Sequence, residues 1–410
     1  MLHTFFETYQ AYRDSVYYDA SAWSVAHFYN IKYKGVAKAP EGERLTQISK
    51  LYGLNPLRKS NYAYAVNAQD YNIPALIQDM QSEKVVASAA FKPFQSSDGT
   101  SFAYGSVVIP VALQTHTDDQ LFEILNKLQE KHQTQIHSLS SGFSSKGIDL
   151  GSRYIRPIKK PKAVMIIGNG TRSYEAGEVW HLLDTRVGMP ITKIHQYRFS
   201  KLDLDQYNTL VLVSGTYEWN ESMVTKLKNW TTKGNTIVAI GTANKALIKH
   251  KIIKEKLITK IKDSTAIVKS KPYADAPENI GREKLGGVFL KGNLDLTHPL
   301  NFGYINPSVS LYKNNLVWLA PSKNPYGTPV KYDGDPHIDG YISKTIRKEF
   351  LPKSAAVIVS SVGKGRVVMF ADNPNFRGTA YGTNRMFLNA IFLGNHITVP
   401  KLDATSNKEH

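Results

Sequence analysis

Two predicted strands of the sequence, residues 163–167 and 366–371, are each followed by polar side chains that could bind a ligand or transfer a proton. Ligands of open α/β sheets bind at the carboxyl ends of the strands, so these side chains are candidates for one polar binding site. The candidates are Asn169, Tyr174, Glu175, Glu178, Asp372 and Arg377. The alternative, which the sequence favours, is that Asp372 and Arg377 pair with the two glutamates and only close the sheet.

Three more specific kinds of chemistry are disfavoured. Gly168-Asn169-Gly170 is followed by Ser173 where a dinucleotide-binding fingerprint needs its third glycine. Thr242 is the only hydroxyl at the strand-to-helix turn after residues 236–240, and an acyl-transfer threonine needs an activating base. His181 and Asp184 lie one turn apart, but on a helix whose neighbours face the core, where a lone histidine is more often a hydrogen-bonded helix residue than a zinc ligand. We therefore expect no cofactor and no metal in this chain.

The residues that must position these side chains read as alternating strands and helices. Residues 162–190 predict a strand, a glycine loop and a helix that ends at Gly188, with Pro190 beyond it. The inward face of this helix is predicted to carry Ala176, Val179, Trp180, Leu183 and Val187. Further strands are expected at residues 191–196, 210–214 and 236–240, then a hairpin over 355–371 and a helix over 384–393. The fold class is therefore α/β, with an open, mostly parallel sheet of flavodoxin-like type.

Three domains are expected in a chain of 410 residues. Residues 1–58 are an aromatic-rich connector. Residues 59–158 read β-α-β-β-α-β, the order of a ferredoxin-like α+β domain, with a capping box at Thr117 and Gln120. Residues 159–400 form the α/β domain, which includes a lysine-covered helix over residues 249–271.

Composition limits the possible partners and the location. The chain has no cysteine, so disulfides and thiolate chemistry are absent, and its formal net charge is +17. This charge suggests a basic module that binds a polyanion, but most of the cations are lysines rather than the arginines that nucleic-acid sites favour. Nucleic acid is therefore an unfavoured partner. No apolar run is long enough to span a bilayer, and no signal peptide is expected at the start of the sequence.

Four stretches carry a resemblance to a known family. They are the segment YYDASAW at residues 17–23, residues 149–152, the segment from Tyr174 to Thr192 that begins YEAGEVW, and the segment from Gly365 to Gly394 that contains FADNPNFRG. Together they resemble the region after the catalytic domain in large zinc carboxypeptidase-like proteins of the Bacteroidetes type. In that family the last domain is similar to a class I glutamine amidotransferase domain, and Thr242 or Ala243 stands here where such an enzyme has its cysteine.

This resemblance implies a function without catalysis. The family's zinc-binding motif has no matching residues in this chain, so zinc is expected only in a peptidase domain outside it. By the same resemblance, residues 1–58 are expected to be either the tail of that peptidase domain or the connector after it. The chain is then expected to be an accessory region that scaffolds the peptidase domain or binds its peptide or glycan substrate. The resemblance also implies an extracellular or periplasmic location. The alternatives are a hydrolase or transferase that works at the carboxyl edge of the sheet, and the polyanion-binding module suggested by the charge.

Overall fold

The computed structural model describes residues 5–9, 22–38, 41–42, 53–259, 270–277 and 285–400. Most of the segment YYDASAW and the expected helical residues 260–269 therefore lie outside the described residues. The helices are α1 (Val25–Phe28), α2 (Ile73–Ser82), α3 (Asp118–His132), α4 (Ser173–His181), α5 (Glu221–Thr232), α6 (Ala243–Lys249), α7 (Lys344–Glu349) and α8 (Asn384–Phe392). None of the described helices is long and apolar enough to cross a membrane.

The first strands build two small sheets. They are β1 (Ala63–Val66), β2 (Ser88–Ala90), β3 (Phe94–Ser96), β4 (Ser101–Phe102), β5 (Val107–Pro110), β6 (Ile136–Leu139), β7 (Ser144–Gly147) and β8 (Ile155–Pro157). The order β6-β1-β5-β2-β8 is antiparallel, and its first four strands have the arrangement of a ferredoxin-like sheet. Strands β3 and β4 do not join this sheet, because they pair with β7 in a separate three-stranded sheet.

The remaining strands form one large sheet. They are β9 (Ala163–Ile167), β10 (Thr192–His195), β11 (Thr209–Leu212), β12 (Thr236–Ile240), β13 (Val288–Leu294), β14 (Ser308–Lys313), β15 (Val330–Asp339), β16 (Ala355–Val362) and β17 (Gly365–Phe370). Their order is β10-β9-β11-β12-β17-β16-β15-β13-β14. The pairs from β10 to β17 are parallel and those from β17 to β14 are antiparallel. The α/β class is confirmed, with an open sheet whose second half is antiparallel.

Strand β9 shows why this sheet needs layers on both faces. Val164 and Ile166 pack in one hydrophobic cluster with Leu227 of α5, whereas Met165 packs in the opposite cluster with Phe387 of α8. All four strand positions from Ala163 to Ile166 are buried. An apolar run without alternation is typical of a strand that is covered on both sides.

Helix α4 begins and ends where the sequence predicts, but one residue of its predicted inward face is outside the core. The helix continues as a π-helical segment, Leu182–Val187, and Gly188 ends it at a positive φ of 69°. Val179, Leu183 and Val187 are buried. Trp180, which we expected inside, is 42% exposed because it lines an open cavity that is described below.

The expected lysine-covered helix is wrong over residues 251–259. Helix α6 ends at Lys249, and Lys251 has a positive φ of 52°, which breaks the helix. Ile252 and Ile253 are buried, and Leu257 forms a bridge with Leu319. Tertiary contacts therefore override the helical spacing of the isoleucines.

The described N-terminal residues cover the far edge of the large sheet. Phe28 of α1 contacts the rings of Phe289, Tyr312 and Phe376 at centroid distances of 4.7, 5.1 and 5.8 Å. The side-chain amide of Asn30 donates to the Ser308 carbonyl (3.5 Å) and accepts from the Ser310 N–H (3.2 Å). This amide thus pairs with the free backbone of β14, the edge strand.

Candidate functional site

A cavity of about 650 Å³ lies at the carboxyl ends of the strands, between α4 and the loop that follows β17. We call it the carboxyl-edge cavity. It is lined by Thr171, Arg172, Ser173, Tyr174, Glu175, Glu178, Tyr312, Asn314, Asn373, Phe376 and Arg377. Its position is the one at which open α/β sheets bind ligands. Four of the six predicted site residues, Tyr174, Glu175, Glu178 and Arg377, are brought together here.

Glu175 is held at the end of the neighbouring strand. The Ser214 N–H donates to its Oε2 at 2.8 Å, which fixes the carboxyl group just beyond β11. Burial raises the pKa of Glu175, although this hydrogen bond acts in the opposite direction. The side chain therefore joins the first turn of α4 to the loop after β11.

Glu178 connects α4 to the loop after β17. Its Oε1 accepts from the Arg377 N–H at 2.6 Å and its Oε2 accepts from Asn373 Nδ2 at 2.5 Å. Burial raises the pKa of Glu178 to about 7, and the nearby charge of Glu175 adds to this rise. At neutral pH this carboxyl group is therefore able both to hold and to release a proton.

Arg377 and Tyr174 present their functional groups to solvent at the mouth of the cavity. Arg377 adopts a left-handed conformation with a φ of 51°, and its guanidinium lies 5.3 Å from the Phe376 ring and 6.0 Å from that of Trp23. No carboxylate among the described residues pairs with this guanidinium, so the predicted ion pairing with the glutamates is wrong. Tyr174 is 88% exposed.

The other two predicted residues do not line the cavity. Asn169 is exposed in the loop after β9. Asp372 is buried and accepts from Lys313 Nζ at 2.8 Å and from the Tyr332 hydroxyl at 2.5 Å. Its expected role in ligand binding is thus corrected to a structural ion pair, because its charge is already neutralised by a lysine inside the protein.

Sequence reasoning missed several lining residues. Asn373 follows Asp372 directly, so its position after a buried strand was an available signal. Arg172 and Ser173 lie in the loop that was singled out for its glycines. Tyr312 and Asn314 belong to the end of β14, which pairs in the antiparallel half of the sheet, and no local pattern connects them with α4.

The turn after β12 has no free nucleophile. The residue with a positive φ, 53°, is Gly241, and a Cβ at this position would lie 2.2 Å from Ser214 Oγ. The Thr242 hydroxyl accepts from the Gly215 N–H at 2.8 Å and lies 3.3 Å from the Gly215 carbonyl oxygen. Thr242 therefore fastens two neighbouring loops together, in agreement with the predicted structural turn.

Among the described residues, no cluster of three or more His, Asp or Glu side chains is placed to hold a metal ion. Acid–base chemistry at the carboxyl-edge cavity would thus rest on Glu175 and Glu178, with Arg172 and Arg377 as cations. Such a set is able to orient a polar ligand and to exchange a proton with it.

Comparison with known proteins gives structural neighbours only. No protein-family model matches the sequence, and no curated protein matches it. A ThuA-like protein from Parabacteroides merdae is 14% identical with a TM-score of 0.38, over 60% of this chain and 94% of that chain. A ThuA-like protein from Bacteroides uniformis is 14% identical with a TM-score of 0.33, over 57% and 91%. A GMP synthase protein from Thermoplasma acidophilum is 11% identical with a TM-score of 0.31, over 57% and 96%.

Proposed function

We propose that this chain is a non-catalytic accessory region of an exported zinc carboxypeptidase-like protein, and that its carboxyl-edge cavity binds a peptide by its C-terminal end. The observation that carries the proposal is the convergence of Tyr174, Glu175, Glu178 and Arg377 on one cavity beside a turn without a nucleophile. The location, extracellular or periplasmic, and the association with a peptidase domain rest on the sequence resemblance.

The free guanidinium of Arg377 favours a peptide acid over a glycan. A guanidinium binds a carboxylate through two parallel hydrogen bonds, and no described carboxylate competes for it. The rings of Tyr174 and Phe376 offer apolar surface for the last side chain of the peptide. The carboxyl groups of Glu175 and Glu178 are then available for hydrogen bonds with the peptide backbone.

Calorimetric titration with acetyl-Ala-Ala-Phe and with its C-terminal amide tests this proposal. We expect the acid to bind about tenfold more tightly than the amide, since a charge-assisted hydrogen bond contributes about 1.5 kcal/mol or more. Arg377→Gln should remove this preference and Tyr174→Ala should weaken both peptides. A glycan probe, maltotriose, should give no heat.

Matched control variants are present elsewhere on the surface. Arg198 also lies over an exposed tyrosine ring, that of Tyr197 at 5.8 Å, and Tyr273 is 94% exposed. Arg198→Gln and Tyr273→Ala should bind both peptides as the unaltered protein does. Equal affinity for acid and amide, or zinc-dependent release of phenylalanine by this chain, would refute the proposal.

A hydrolase or transferase is the second candidate, and the pKa of Glu178 favours it. A carboxyl group whose pKa is about 7 is suited to general acid–base catalysis at neutral pH. In that case hydrolysis of the same peptide or of an aryl glycoside should follow the ionisation of Glu178 and should be lost in Glu178→Gln. No turnover of either substrate between pH 5 and 8 would remove this candidate.

A further inference from the structure

A second cavity lies on the other side of the Thr171–Ser173 segment, against the edge strand β10. Its volume is about 340 Å³, and we call it the Trp180 cavity. Met165, Ile167, Ala176 and Trp180 provide its apolar surface. This size and this composition are those of a small-molecule site. It shares only Thr171 and Ser173 with the carboxyl-edge cavity, so it is independent of the proposed function.

Gly177 keeps the Trp180 cavity open. Glycine within a helix costs about 1 kcal/mol relative to alanine. Gly177 lies in the middle of α4, yet a Cβ added to it would meet no atom within 4 Å. Its φ is not positive, so neither crowding nor backbone conformation accounts for the missing side chain. The structure shows one effect of the missing side chain, which is the open space beside Trp180.

The mouth of the Trp180 cavity is basic. Lys193 and His195 of β10 pair in register with Met165 and Ile167 of β9, so their side chains lie on the same face of the sheet as the apolar floor. Lys193 Nζ lies 4.6 Å from the centre of the Trp180 ring. No carboxylate among the described residues pairs with this ammonium group. A ligand that fits both features is apolar, flat and singly anionic.

We propose that the Trp180 cavity is a second binding site, which takes a flat aromatic compound that carries one carboxylate. The ring system stacks against Trp180 and contacts Ile167, while the carboxylate lies between Lys193 and His195. Two features of the chain support this arrangement independently of each other. They are the uncrowded glycine within a helix and the unpaired cation beside an exposed tryptophan.

The probe for this site is 2-naphthoate, with 2-naphthamide as its uncharged equivalent. Titration with the unaltered protein labelled at the isoleucine δ1 methyl groups should shift the Ile167 signal and give an NOE between the naphthalene ring and that methyl group. The carboxylate should bind about threefold to fivefold more tightly than the amide, because an exposed ion pair contributes up to about 1 kcal/mol.

Two variants separate the parts of this proposal. Gly177→Leu fills the cavity and should weaken both probes more than tenfold, while its higher helix propensity keeps the protein folded. Lys193→Met should bind the two probes equally, and Lys245→Met, an exposed lysine on α6, should leave their ratio unchanged. Unaltered affinity in Gly177→Leu, or no shift of Ile167 at millimolar 2-naphthoate in the unaltered protein, would overturn the proposal.

Discussion

Lys313 is a lysine whose side chain has no solvent exposure, and its ammonium group is bound on several sides. It donates to Asp372 Oδ1 and to the Val317 carbonyl, both at 2.8 Å, and lies 4.2 Å from the centre of the Trp318 ring. Burial lowers the pKa of Lys313, whereas the charge of Asp372 opposes that change. This pair fixes the start of the loop that carries Asn373 and Arg377 to the carboxyl-edge cavity.

Removal of the buried ammonium group should therefore be costly. We expect Lys313→Met to lower the free energy of unfolding by about 3 to 5 kcal/mol, because Asp372 is left as an unpaired buried charge. Urea unfolding measures the change. In Lys291→Met, which removes the partly exposed pair with Asp333, the loss should stay below about 1 kcal/mol. Similar losses in the two variants would contradict this account of Lys313.

Glu178 should give the protein a specific dependence of stability on pH. Its folded pKa of about 7 is above the ordinary value of 4.5, so the unfolded chain loses this proton first as the pH rises. The stabilising contribution is full below about pH 4.5 and is lost as the pH rises through 7. Urea midpoints at pH 5 and pH 8 should thus differ less in Glu178→Gln than in the unaltered protein.

The control for this pH effect is an exposed glutamate. Glu123 lies on the solvent side of α3, so Glu123→Gln should keep the full difference between pH 5 and pH 8. If Glu178→Gln keeps it as well, the carboxyl group does not hold its proton in the folded state at pH 5 to 7.

At the scale of the elements, the loop after β11 packs against the turn after β12. This packing leaves no room for a side chain at Gly241. Gly241 combines a positive φ with contact to Ser214, and these two constraints are separable. Gly99 has a positive φ of 90° but open space around it. A comparison of the two glycines therefore distinguishes backbone strain from steric conflict.

We expect Gly241→Ala to lower the free energy of unfolding by about 2 kcal/mol or more, the sum of a left-handed alanine and a contact with Ser214 Oγ. Gly99→Ala should lose only about 1 kcal/mol. When Ser214→Gly is combined with Gly241→Ala, part of the larger loss should be recovered. Urea unfolding of the four proteins provides the values, and equal losses at the two glycines would contradict the steric explanation.

The parts of the fold that could be predicted from the sequence are those that depend on residues close to one another in the chain. The capping box at Thr117 and Gln120 and the helix end at Gly188 both depend on neighbours within a few residues, and both are present in the structure. For the same reason, Tyr174, Glu175 and Glu178 of α4 could be predicted as site residues, since they lie on a helix that follows a buried strand.

The features that could not be predicted depend on distant partners. The sequence offers Asp372 either as a ligand-binding residue or as a partner of the glutamates of α4, because no sequence pattern shows that Lys313, 59 residues earlier, is its partner. The helix over residues 251–259 was expected from its isoleucine spacing, but the bridge to Leu319 decides the conformation there. Tyr312 lies at the carboxyl-edge cavity because of the order in which the antiparallel strands pair, and no local sequence pattern shows this order.

At the scale of the whole molecule, Arg385 joins the small α+β domain to the α/β domain. It lies on α8, is buried, and donates to the carbonyl groups of Ala68, Asp70 and Tyr71 at 2.9, 2.8 and 3.4 Å. Burial lowers the pKa of Arg385 to about 10, so the guanidinium stays charged at neutral pH. Arg385 is thus one of several contacts between the two parts of the fold, which also share a hydrophobic cluster and the hydrogen bond from Asn384 to the Tyr71 hydroxyl at 2.8 Å.

Arg385→Met should weaken the contact between these two parts of the fold. The carbonyl groups that lose their donor remain buried, and we expect the free energy of unfolding to fall by about 3 kcal/mol or more, with a lower transition temperature. Differential scanning calorimetry measures this temperature, with Arg153→Met, an exposed arginine, as the control. An unchanged transition temperature would contradict this role of Arg385.

The side-chain amide of Asn30 has a consequence for the protein in concentrated solution. An edge strand with free N–H and C=O groups is a template on which another molecule adds its own strand, and repeated addition leads to aggregates. On β14, Asn30 occupies the backbone groups of Ser308 and Ser310. The described N-terminal residues therefore make these two backbone groups unavailable to a strand of another molecule, and we expect proteolytic loss of this segment to raise the tendency of the protein to aggregate.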